Sequence, residues 1–82
     1  MSSVNRTIQR AVKITPSDSD KVSKVSDGIQ VNEDGVVRLK LRKGSGTTDL
    51  FLLAGVSYAF EVEQVHDTGT EIEGDIHLLY YE

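Results

Sequence analysis

The sequence predicts a single small all-β domain, an antiparallel β-sandwich (jelly-roll-like) or barrel of about six to eight strands. Three observations predict it. Apolar residues recur at a period of two, and turn residues fall at short, fairly even intervals. No window of about ten residues carries a helical stripe.

Ile8, Val12 and Ile14 share one parity against Thr7, Gln9, Lys13 and Thr15, which reads as a first strand with one face buried. Residues 1–6 read as a flexible arm before a β domain over 7–82. Pro16 fixes its own φ and removes a donor, so the strand should stop near Thr15. Ser17-Asp18-Ser19-Asp20-Lys21 is a polar loop, and Val22 and Val25 offer too few apolar positions for a helix.

Ile29 and Val31 then alternate with Gln30 and Asn32, and Asp34-Gly35 supplies residues suited to a tight turn with positive φ. Val37, Leu39 and Leu41 alternate strictly beyond it, which completes an expected hairpin. Gly44-Ser45-Gly46-Thr47-Thr48 reads as a connector. It leads into the apolar run Asp49 to Leu53, expected as a strand buried on both faces. Ala54-Gly55 breaks the run. A further strand should carry Val56, Tyr58, Phe60 and Val62 inward, before a turn at His66-Asp67-Thr68-Gly69-Thr70. Ile72, Gly74, Ile76, Leu78 and Tyr80 form the inner parity of the closing strand, with Gly74 marking a bulge or a close backbone approach.

The chain has 82 residues and no cysteine, so neither disulfides nor a thiolate zinc site supplements its core. Small domains then depend on partner subunits, and self-association is the expectation. The lack of cysteine suits a reducing cytoplasm or a particle assembled there. No apolar run follows the N-terminal charge as in a signal peptide, and Leu50 to Val56 is too short to span a bilayer. A net charge of −4 argues against duplex nucleic acid as a partner.

Few residues suggest chemistry. Asp67-Thr68-Gly69 spells the tripeptide of aspartic proteases, in which two carboxylates from a homodimer share a proton. Here His66 precedes it and Glu71 follows closely, where that family places apolar residues, so a hairpin turn is the expectation and the protease a remote alternative. His66 and His77 match no metal-ligand spacing, and Gly44-Ser45-Gly46 lacks the context of a phosphate loop. No enzyme activity, cofactor or metal is expected. Arg38, Lys40 and Arg42 project from one strand face with Lys43 adjoining, which predicts pairing with Glu61 and Glu63 or protection of a sheet edge. Contact with an acidic surface of a partner is the third reading. Leu79 and Tyr81 lie opposite Leu78 and Tyr80, so the final strand is apolar on both faces. Either a neighbouring subunit or the chain itself must cover the second face.

Four segments in order carry a wider resemblance. They are Ala11-Val12-Lys13-Ile14-Thr15-Pro16-Ser17-Asp18; the stretch Ile29 to Leu41; Ala54-Gly55 with Tyr58 to Val65; and Thr68-Gly69-Thr70 followed by Leu79-Tyr80. The chain resembles the head spike base proteins of gene transfer agents and related tailed phages over most of Ala11 to Tyr80. It departs from them at Val25-Ser26-Asp27-Gly28-Ile29, where the family has an aromatic-rich strand, and in lacking a Pro near Ala54-Gly55. The resemblance implies a structural virion protein on the capsid exterior, assembled in the host cytoplasm. It would form a homopentameric ring at vertices that contacts the major capsid protein and carries a spike fibre. A trimeric decoration (cement) protein between hexamers is the alternative. Arg38, Lys40, Arg42, Leu79 and Tyr81 are the expected subunit or capsid contacts.

Overall fold

A computed structural model describes residues 8–81, and these residues form six strands and no helix. They are β1 (Ile8–Ile14), β2 (Gly28–Val31), β3 (Gly35–Leu41), β4 (Thr47–Leu52), β5 (Val62–Val65) and β6 (Ile76–Tyr81). Two three-stranded antiparallel sheets result, one in the order β1-β6-β2 and the other β4-β3-β5. The expected all-β, sandwich-like fold is the one observed. The expected N-terminal arm, residues 1–6, lies outside the described residues.

Alternation places the core between the sheets. Ile29 and Val31 of β2 meet Val37 and Leu39 of β3, Leu52 of β4, Val62 and Val65 of β5, and Ile76, Leu78 and Tyr80 of β6. Each has a relative exposure of 4% or less, and each full side-chain burial of this kind is worth about 1.5–3 kcal/mol.

The expected hairpin around Asp34-Gly35 does not form. β2 and β3 lie in different sheets, and residues 32–34 arch across the core between them. The physical reason is where the arch finds its partners. Asn32 N–H donates to the Asp75 carbonyl (3.0 Å), Glu33 accepts from Glu73 N–H (2.9 Å), and Asp34 accepts from Ala54 N–H (2.7 Å). All three bonds reach distant segments, so the strands can turn their apolar faces toward each other. Gly35 has no positive φ; a Cβ there would come within 2.8 Å of Ile72 Cγ1, so close approach is what requires glycine. Gly74 also marks a close approach, since a Cβ there would lie 3.1 Å from Glu33 Cβ, and it precedes β6 rather than bulging within it. The local hairpin is β3–β4, turned through residues 42–46.

Two further expectations change. Residues 56–61 are not part of a continuous strand. Tyr58 exchanges backbone bonds with Ile29 in one sheet (2.9 Å each), whereas Glu61 accepts from Arg42 in the other (2.9 Å). Tyr58, Phe60 and Val62 of the expected inward parity still pack on the core, whereas Val56 is 41% exposed. β4 is not buried on both faces either: it is an edge strand, and Phe51 is 62% exposed. Similarly, β1 turns Val12 toward the core side, but at a sheet edge where it stays 41% exposed.

Candidate interaction surface

The outer face of β3 carries the basic residues read from the sequence, and each is paired. Arg38 Nε and Nη2 grip the two Asp49 carboxylate oxygens at 2.8 and 3.2 Å. Lys40 Nζ lies 3.0 Å from Glu63 Oε1, which also receives Lys21 Nζ at 3.5 Å, and Arg42 Nη1 meets Glu61 at 3.3 Å. The Arg38 guanidinium holds the Asp49 carboxyl below its ordinary range. The Lys40 ammonium does the same for Glu63, assisted by Lys21. Lys40 and Arg42 thus pair across strands with two expected partners, Glu63 and Glu61, whereas Arg38 pairs with Asp49, and β3 is a central strand, so the stripe protects no sheet edge.

Below this ladder, two loops distant in sequence are tied together. Asp18 accepts the Thr68 hydroxyl (2.6 Å) and the backbone N–H groups of Thr68 (2.9 Å) and Asp67 (3.0 Å). The Thr68 hydroxyl bond, more than any other contact, lowers the Asp18 carboxyl pKa. Asp67-Thr68-Gly69 is thus a turn clamped by Asp18, with Gly69 at φ +96° and Thr70 N–H returning to the Asp67 carbonyl at 3.3 Å. The Arg38 guanidinium lies against this glycine, where a Cβ would come within 2.5 Å of Cζ. Asp67 itself is exposed.

His66 sits beside Asp18, with Nδ1 3.6 Å from its carboxylate, and follows β5; His77 lies in β6 on the other sheet. Among the described residues no group of three acidic or histidine side chains could hold a metal ion.

Leu79 and Tyr81 divide. Leu79 is 4% exposed within the single chain, because it leans over Gly28, whose absent side chain leaves room 3.5 Å from Leu79 Cδ1. The chain itself covers that position, so Leu79 has little surface to offer a neighbour. Tyr81 is half-buried, and its N–H donates to Asp27 (2.8 Å). Tyr80, on the core side, has Arg10 Cζ 4.7 Å above its ring and gives its hydroxyl to the Lys24 carbonyl (2.8 Å).

The sequence reading missed the exposed apolar residues. Phe51, Leu53 and Val56 are 62%, 47% and 41% exposed and fall within one six-residue stretch at the end of β4. The signal was present as an apolar run with only one charge, Asp49, but such a run suits a buried strand equally well. Beside β1, Val12 lines a groove of about 260 Å³ with Ile14, Val22, Leu78 and Tyr80, roofed by the 17–23 loop. No protein-family model and no curated protein sequence matches this chain.

Proposed function

We propose that this chain is a structural subunit of a virion surface that works by packing against identical copies and an underlying capsid. The observation that carries the reading is the exposed apolar stretch Phe51, Leu53 and Val56 beside the outer edge of β4, which no strand among the described residues pairs. Large apolar side chains at a free sheet edge favour association, and the paired charges on the neighbouring face favour a specific contact over a general charge attraction. The resemblance to head spike base proteins supplies the capsid. Its separate segments also meet in space: Asp18 binds Thr68, while Asp34 and Val31 bind Ala54 and Gly55.

Particles purified from the source lysate and labelled with an antibody against this chain test the reading by electron microscopy. Label on the capsid exterior, concentrated at vertices, is the expected result. Label spread over the faces between hexamers would move the subunit to a cement role. A chain found only free in the lysate would refute the capsid reading.

A further inference from the structure

We infer that the β4 edge of one copy adds to the β1 edge of the next, in antiparallel register, with Asp49 opposite Lys13 and Phe51 opposite Ala11. β1 and β4 are the outer strands of their sheets. The other outer strands are already covered: Tyr58 bonds along β2, and Ser17, Val22 and Ser26 donate to β5 at Val65, Glu63 and Val62.

Backbone direction fixes which groups face the two open edges. Arg38 N–H donates to Thr70 Oγ1 (3.1 Å) and its carbonyl accepts from His66 (2.9 Å), so Arg38 points away from β4. Val37 and Leu39 accordingly bond to Leu50 and Thr48, which leaves the N–H and C=O groups of Asp49 and Phe51 on the open side. In the other sheet, Ile29 bonds to Tyr58, so Gln30 and Gly28 bond to His77 and Leu79. Leu78 and Ile76 then face β1 at Val12 and Ile14, which leaves the groups of Ala11 and Lys13 open.

These open residues match in spacing and chemistry. One register joins Asp49 to Lys13 and Phe51 to Ala11, each pair exchanging two backbone hydrogen bonds. Asp49, held by Arg38, and Lys13, 3.3 Å from Asp75, would merge into one alternating charge chain across the joint. Phe51, 62% exposed, would lie over the small Ala11. On the core side Leu50 would meet Val12 and close the groove beside β1. A two-fold pairing of β4 with itself would leave Val12 and the β1 edge uncovered. The proposed contact joins two different edges, so it propagates head to tail and closes into a ring or extends as a filament. It is argued from this chain's own edges and does not depend on the capsid reading.

Proline tests it at the backbone, because it deletes an outward N–H on an edge strand while leaving the inner ladder intact. Ala11→Pro blocks β1 and Phe51→Pro blocks β4. Circular dichroism and thermal melting establish that each variant is folded, and sedimentation then reads its size. The expected results are oligomers for the wild type at high concentration, a monomer for each variant alone, and a one-to-one dimer when the variants are mixed. An Ala11→Pro protein that still self-associates, or a monomeric mixture, would overturn the pairing, as would a wild type that stays monomeric. Should either proline variant fail to fold, Leu50→Cys mixed with Val12→Cys gives the same discrimination in this cysteine-free chain. Facing non-hydrogen-bonded positions lie about 4.5 Å apart, within disulfide range. Oxidation should link the mixture and neither variant alone, and self-linking of Leu50→Cys would refute the register.

Discussion

Replacing Ser26 with alanine should destabilise this domain more than any other loss of a single hydroxyl. Ser26 is fully buried, and its hydroxyl serves two backbone groups. It accepts from Val62 N–H at 3.1 Å and donates to the Phe60 carbonyl at 3.3 Å, while Ser26 N–H donates to the Val62 carbonyl at 3.1 Å. The side chain thereby pins the 17–27 segment along β5. Alanine would leave the Val62 amide buried without a partner, at a cost of about 1–3 kcal/mol. A domain of this size has about 4–12 kcal/mol in total, so the loss is a large fraction. A cost of about 2 kcal/mol lowers Tm by about 8–16 °C, at roughly 4–8 °C per kcal/mol. Differential scanning calorimetry reads this directly. Ser45→Ala, in the exposed β3–β4 turn, is the control and should change stability by less than about 0.5 kcal/mol. A Ser26→Ala protein that melts together with the wild type would refute the role assigned to the hydroxyl.

Acid should weaken the fold through Asp18, Asp49 and Glu63, whose pKa values are all lowered by their partners in the folded chain. Their contribution is complete above the ordinary values of 3.8 for Asp and 4.5 for Glu, and is lost as pH falls through the lower folded values. Urea midpoints should therefore fall on acidification, and the gap between wild type and Asp18→Asn should narrow toward the acid end. Gly69→Ala should cost about 1–2 kcal/mol from its left-handed backbone alone. The displaced Arg38 guanidinium adds to this, so the same substitution should be milder in an Arg38→Ala background, as a double-mutant cycle by urea unfolding would show. Leu78→Ala, 2% exposed between the sheets, should cost about 2–5 kcal/mol in the same assay.

Local pattern carried much of the fold and stopped where partners are remote. The alternation at Val37, Leu39 and Leu41 reads directly as β3, because burial on one face imposes a period of two. The pairs Lys40–Glu63 and Arg42–Glu61 were legible because opposite charges on facing parities have few other places to go. Asp34-Gly35 misled, since turn residues report a change of direction and not which sheet receives the next strand. The run through Phe51 was ambiguous for a related reason: apolar content looks the same whether the chain or a neighbour covers it. Asp18 could not be foreseen as the clamp of a turn 50 positions away, because nothing in its own segment encodes Thr68.

Strand order has a kinetic consequence. β6 is the middle strand of its sheet, flanked by β1 and β2, although it is the last of the six in sequence. Only β3 and β4 pair with an immediate sequence neighbour. During synthesis that hairpin can close early, while β1 and β2 must wait with their apolar faces open until β6 arrives between them. Folding dominated by such non-local pairing takes about milliseconds to seconds. Until it finishes, the same edges that would join mature copies are exposed to premature pairing, so the timing of β6 helps decide between assembly and aggregation.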